Sequence, residues 1–358
     1  MVFKIPGINK MRISPSLLTL AVSAVISIPT LQAKVVGTLE NISTSASITI
    51  DGVVDDAWTK APVLKVNVDK VPYKPNNGFE GVLTSEYSIK SMRKDGDIYF
   101  LVQWTDPTES LNRYPWMKQS DGSWKQLANK DDTGHDNTYY EDKMAILWNI
   151  DLKTFKKKGC TAACHMSKNG MTNGIPDKAP GRKYTKDGTT IDMWHWKGVR
   201  MNPVGQIDDQ YIHDNTDPKV NKNWGRSGDT KTGGGYVNNK KDGAPEFVQA
   251  DLAADAEVVL DSKKIPMPAD WSKTDRVPGI VTSPFTGSRG DISAKGIWKD
   301  GVWTVEIRRA LVTTGENSDT QDVQFNDLSK AYDFGVSIFD NSQINHVYHE
   351  GVLQLKFK

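Results

Sequence analysis

The sequence predicts a mainly β protein, an antiparallel β-sandwich in one domain, and three observations point there. Short alternating or continuously apolar runs recur, Asp-Gly turn pairs separate them, and long amphipathic helical patterns are scarce.

Taken in order, residues 46–50 (ASITI) read as a strand leading into the turn pair Asp51-Gly52, and residues 54–61 are the best short helical candidate. Residues 87–92 and 98–104 (IYFLVQW) flank Asp95-Gly96 and read as a hairpin, because that pair suits the two left-handed positions of a two-residue turn. Residues 144–150 (MAILWNI) are apolar without alternation, the mark of a strand buried on both faces. Residues 296–298 and 302–308 (VWTVEIR) repeat the hairpin pattern around Asp300-Gly301, and residues 334–339 and 352–357 complete a C-terminal set. Between these blocks, residues 159–245 are rich in Gly, Asn, Asp and Lys and poor in aliphatics. A loop-rich insertion this long is normally functional or disordered. Both cysteines and three of the six histidines fall inside it, which favours function.

The N-terminus has its own logic. Lys10 and Arg12 precede an apolar run, residues 17–28, broken only by Thr19, Ser23 and Ser27, and Ala33 closes the segment. As a helix that run would span about 18 Å, short of a bilayer core of about 30 Å. Basic start, short apolar centre and small-residue end mark residues 1–33 as a secretory signal; an uncleaved anchor is the alternative. No later stretch is apolar enough to span a membrane, so the expectation is one domain, residues 34–358, in the periplasm. Removing the signal takes away three basic residues and no acid from 45 basic and 44 acidic side chains, leaving a formal charge of about −2. Such balance argues against nucleic acid, which demands a basic face.

Cysteine usage carries the chemistry. The chain has two cysteines, Cys160 and Cys164, in the run Gly159-Cys160-Thr161-Ala162-Ala163-Cys164-His165-Met166. A stabilising cross-link usually closes a long loop, and a pair four apart closes almost nothing. Covalent haem uses two thiols and an adjacent histidine, ordinarily as C-x-x-C-H; here the spacing is one residue longer. In a helical turn the two thiols would still share one face, with His165 next round. A small local disulfide with His165 at the surface, or two free thiols, are the competing readings, while a four-cysteine zinc site is excluded by count. Downstream, Asp192-Met193-Trp194-His195-Trp196-Lys197 sets Trp194 and Trp196 about His195. These tryptophans suit a porphyrin pocket and suit an ordinary core equally well. The acidic loop, residues 129–137 (NKDDTGHDN), offers oxygen ligands for Ca²⁺, though its spacing fits no EF-hand.

Residues 50–58 (IDGVVDDAW), 97–107, 142–148 (DKMAILW), 192–197 (DMWHWK), 303–309 and 334–340, in that order, resemble the haem-binding domain family of the ethylbenzene dehydrogenase gamma subunit and cytochrome c-552/DMSO reductase-like proteins. The resemblance implies an immunoglobulin-like sandwich, akin to DOMON and carbohydrate-binding-module folds, with one haem at the edge of the sheets. It implies b-type haem held by a methionine and a lysine. At the corresponding places this chain has the Gly159–His165 run and the stretch Asn345-His346-Val347-Tyr348-His349-Glu350. Both ligands thus shift toward histidine, which suggests c-type haem with His165 as first ligand and His349 as second, His346 next and His195 third.

The resulting expectation is a periplasmic electron carrier with no catalysis of its own, cycling one electron. Its expected partners are redox proteins, a molybdopterin oxidoreductase among the candidates, which it would serve as partner or subunit. A haem-free carbohydrate-binding module is the rival, with Trp116 and Trp124 as its stacking platform, and a b-type haem subunit is the other.

Overall fold

The computed structural model describes residues 1–2, 35–72, 79–177, 179 and 181–358. The expected signal segment, residues 1–33, lies outside them but for its first two residues. No helix among the described residues is long and apolar enough to cross a membrane.

Thirteen strands form one continuous hydrogen-bonded sheet. They are β1 (Val35–Ser43), β2 (Leu64–Val68), β3 (Ser85–Lys94), β4 (Asp97–Thr105), β5 (Lys143–Asn149), β6 (Ile191–Lys197), β7 (Asp208–Ile212) and β8 (Arg226–Gly228), followed by β9 (Ser293–Lys299), β10 (Val302–Ala310), β11 (Ala331–Phe339), β12 (Val347–Tyr348) and β13 (Val352–Phe357). The order is β8-β7-β6-β5-β11-β13-β1-β3-β4-β10-β9, with β2 beside β3 and β12 beside β11. Both predicted hairpins form, and at each turn the pair Asp95-Gly96 or Asp300-Gly301 has positive φ throughout, as a turn matched to strand twist requires.

The sheet folds back on itself through β1. That strand pairs in parallel with β13 along most of its length and, from Asn41, in parallel with β3. The expected purely antiparallel sandwich is therefore mixed at this one joint. Residues 46–50 are not a strand, and the strand before them, β1, has a pairing distant in sequence and invisible to local pattern. The candidate helix is one 3₁₀ turn, Asp56–Lys60. Its Trp58 indole donates to Glu306 on β10 at 2.9 Å, and the Gly52 amide donates to the other oxygen of that carboxylate at 3.0 Å.

The two layers close over an aromatic core. Phe100 and Trp104 of β4 and Trp303 of β10 meet Trp148 of β5 and Trp194 and Trp196 of β6, with Phe100–Trp194 centroids 5.6 Å apart and Trp196–Trp303 centroids 5.0 Å apart. These are tilted and edge-on contacts, the arrangement aromatic quadrupoles favour. The segment at 159–245 is not all loop: β6 and β7 within it are central strands of the sheet, and every residue of β6 is buried. Lys, Asp and His in β6 masked it as loop composition, yet each is buried: Asp192 lies on the inner face, accepting from Trp194 and Arg309, while His195 and Lys197 lie on the outer face.

Trp148 is fully buried and touches Phe100, Trp194, Phe325 and Phe334. Trp148→Ala should therefore cost about 3–5 kcal/mol, read as a lower urea midpoint with unchanged denaturant slope; a loss below about 1 kcal/mol would contradict this packing.

Candidate functional site

Side chains alternate across a strand, and β6 uses both faces. Trp194 and Trp196 point into the core, so Met193, His195 and Lys197 point out of the sandwich. There, together with Lys143, Ala145 and Leu147 of β5, they floor a cavity of about 240 Å³. This corrects the expectation that Trp194 and Trp196 wall a cofactor pocket: both are wholly buried between the layers, and neither lines the cavity.

A short helix, Phe155–Lys158, and a 3₁₀ turn, Gly159–Ala162, carry the thiols. The Cys164 amide donates to the Cys160 carbonyl at 3.0 Å, so the pair sits on one helical turn. Cys160 and Cys164 are free and buried, packed with Leu147, Met193 and Ile191, and both line the cavity. The local disulfide is thus not formed. Burial pushes both thiols above the usual range, which keeps them protonated and poor as nucleophiles. Two glycines make room for this turn. A Cβ on Gly159, whose φ is +55°, would fall 2.1 Å from the Gly351 carbonyl oxygen, and one on Gly335 of β11 would fall 2.2 Å from Cys160 Sγ.

His165 adopts φ +59°, a left-handed conformation that costs a non-glycine residue on the order of 1–3 kcal/mol and gathers at functional sites. That twist turns its ring toward β12. His165 Nε2 and His346 Nε2 lie 3.3 Å apart, with ring centroids 5.0 Å apart and planes 26° apart. Both rings line the cavity, and His346 is further packed on Phe339 at 4.6 Å. His349, the expected second ligand, is buried behind the thiol turn near Gly335, is not among the lining residues, and has no partner for either ring nitrogen. The geometry therefore reverses the expected order of His349 and His346. Their odd separation fixes that only one can face the cavity; the side is set by the packing of β12 on β11. His195 does line the cavity and also lacks partners at both nitrogens. Burial lowers the pKa of all three imidazoles, to about 3 for His346 and about 4 for His349, and well below the usual range for His195, where Lys197, Lys143, Arg226 and Arg200 add repulsion. All three are neutral at pH 7, the state in which imidazole binds metal.

Sequence reasoning missed the charge of the walls. Lys143, Lys183 and Lys197 and Arg182, Arg200 and Arg226 all line the cavity, and no lining residue is a carboxylate. These cations come from five separate strands, turns and loops, so no basic run announced them. Neutral imidazoles, buried unbridged thiols, an apolar floor and a positive rim suit a flat macrocycle bearing carboxylates, and the residues present fit a haem. The acidic loop at 129–137 spends Asp131 and Asp136 on its own backbone amides. Trp116 offers no sugar platform: it is buried, its indole donating to the Asn239 carbonyl at 2.8 Å, while Trp124 is half-buried beside Lys118.

A family model described as ethylbenzene dehydrogenase matches residues 55–351. No curated protein matches the chain. Among solved structures, a family 9 carbohydrate-binding module from Caldicellulosiruptor kristjanssonii in complex with cellotriose is 10% identical, covering 90% of this chain and 94% of its own, at a TM-score of 0.32. In complex with glucose it is 11% identical, covering 89% and 95%, also at a TM-score of 0.32.

The buried imidazoles make acid unfolding specific. His349 has a folded pKa of about 4, below the unfolded value of about 6.5, so the unfolded chain takes up its proton first and stability falls as pH falls through that window. Relative to His349→Gln, the cofactor-free wild type should lose on the order of 1.4 kcal/mol per pH unit between about pH 6.5 and 4; parallel urea profiles for the two proteins would refute it. Gly335→Ala should drive Cys160 from its seat, destabilising by about 1–3 kcal/mol and speeding its reaction with a thiol reagent; unchanged reactivity would show that the turn does not need this glycine.

Proposed function

The chain belongs to the ethylbenzene dehydrogenase family, and from that premise we propose that it is an exported haem protein that passes single electrons between redox partners in the periplasm, with the haem attached through Cys160 and Cys164. The observation that carries this reading is the meeting of two thiols and two imidazoles, Cys160, Cys164, His165 and His346, at one cavity, although 186 positions of sequence separate the first from the last. Bound iron supplies one-electron exchange between its ferric and ferrous states, with a potential tuned by ligands, burial and nearby charge.

The protein's part is to hold and insulate. His165 and His346 offer ring nitrogens at the cavity, His165 being held by its left-handed backbone and His346 by the hydrogen bond between its Nδ1 and the Ile344 carbonyl at 2.8 Å. That second contact fixes the ring's orientation with Nε2 directed at His165 Nε2, as outer partners of ligating histidines do. Cys160 and Cys164 would tether the porphyrin as thioethers. Ala145, Leu147 and Met193 exclude water from its face. The cationic walls favour the ferrous state over the ferric one, because added positive charge is disfavoured there. With His165 and His346 both offered to the iron, the site would suit a carrier or an electron-transfer subunit of a molybdopterin oxidoreductase better than a catalyst. A non-covalent, b-type haem on the same two histidines is the second reading, favoured by the extra residue in Cys160-x-x-x-Cys164-His165.

Expressed in cells that attach haem, the protein should give a haem-peroxidase stain that survives a denaturing gel, and Cys160→Ala with Cys164→Ala should abolish it. His165→Ala and His346→Ala should each convert low-spin to high-spin iron, whereas His349→Ala should leave the spectrum low-spin. Pigment extracted by acid-acetone would select the b-type reading; a folded, colourless protein would sink both.

A further inference from the structure

The cavity has two chemically different ends. β5 pairs with β6 so that Lys143 faces Lys197 at one end and Leu147 faces Met193 toward the other, four residues and about 13 Å along the strand. The thiol turn packs on Leu147, Met193 and Ile191, which defines the apolar end. Lys143, Lys197, Arg200 and Arg226 are the four cations whose fields act on the His195 ring, Arg226 reaching it from a strand position level with Ile212 and Ile191.

Three of these four are already committed. Lys197 is ion-paired to Asp208, and Arg200 to Glu141. Lys143 donates to the carbonyls of Ser342 and Gln343 at 2.6 and 3.0 Å. Of the lining cations outside this group, Arg182 bonds Asp177 at 2.7 Å and Lys183 donates to the Gly181 carbonyl at 3.0 Å. Arg226 differs. It is half-buried on β8 and lines the cavity, yet its guanidinium makes no hydrogen bond or ion pair among the described residues. The one carboxylate whose field favours it, Asp208, is shared by Lys197, Arg289, Tyr236 and Gln210. Burial and the neighbouring Arg200 hold its pKa below the usual arginine value. A guanidinium presents a planar fork of donors that matches a carboxylate, and leaving it unpaired beside Lys183 and Arg200 is unfavourable until an anion arrives.

We propose that Arg226 is an anchor for a carboxylate of the bound ligand. This rests on the haem reading, in which that carboxylate is a propionate. The fit is one of chemistry: Arg226 lines the cavity without a side-chain partner among the described residues, and a propionate carries the charge and geometry that a guanidinium fork matches.

The test titrates the full chain, produced without haem-attachment machinery, with protohaem and with its dimethyl ester, in which both propionates are blocked. Wild type should bind protohaem about tenfold more tightly than the ester, the equivalent of one charge-assisted hydrogen bond. Arg226→Gln should weaken protohaem about tenfold and leave the ester unchanged, while Arg308→Gln, whose partner Asp97 lies on the opposite layer, should alter neither. Circular dichroism of Arg226→Gln should match wild type. Equal binding of the two pigments by wild type, or equal loss of both in Arg226→Gln, would overturn the anchor and leave the haem reading standing. Binding of neither pigment by wild type would overturn the haem reading and the anchor with it.

Discussion

The structure depends on β6 being buried on both faces. Its tryptophans supply one half of an aromatic seam that closes the sandwich, and its alternate residues, Met193, His195 and Lys197, supply the floor of the cavity. A strand in that position cannot shift by one residue, because a slip would put indoles in the cavity and a lysine in the core. Cavity and core are two sides of one register. The stability of the sandwich thus fixes the placement of the polar groups, and the floor needs no packing of its own to hold it in place.

Burial on both sides creates an electrostatic demand that the flanking elements meet unevenly. Lys197 and Asp208 satisfy each other next to Tyr236, whose hydroxyl bridges both. Arg200 and Glu141 do likewise, with the amides of Val199 and Arg200 donating to the same carboxylate. His195 at the cavity and His349 behind the thiol turn keep buried ring nitrogens without partners, and the half-buried guanidinium of Arg226 at the cavity makes no side-chain bond among the described residues. Unsatisfied buried polar groups are scarce in folded proteins, which makes the imidazole on the cavity floor the group to be explained.

Much of the sandwich was legible because its cues are local. Asp-Gly turns flanked by alternating runs give hairpins, and an unbroken apolar run gives a strand covered on both sides. β1 was not legible: its partners are β13 and β3, and parallel pairing over such separations leaves no mark within a window of the sequence. The site was legible in identity and not in direction. Period-two alternation tells which residues share a face and cannot say which face is the core. Trp194 and Trp196 went to the wrong side for that reason, and His349 was preferred to His346 for the same one. The positive rim was out of reach altogether, since its members are neighbours only once β5, β6 and β8 lie together.

The close approach of Gly159 to the Gly351 carbonyl has a bearing on biogenesis. The turn that bears the sulfurs rests on the last loop of the chain, so its docking platform does not exist until the final strand has been delivered. Synthesis runs from the N-terminus, so the segment bearing Cys160 and Cys164 is made well before the strand that supports it. Burial of the two thiols therefore waits on the C-terminal strand.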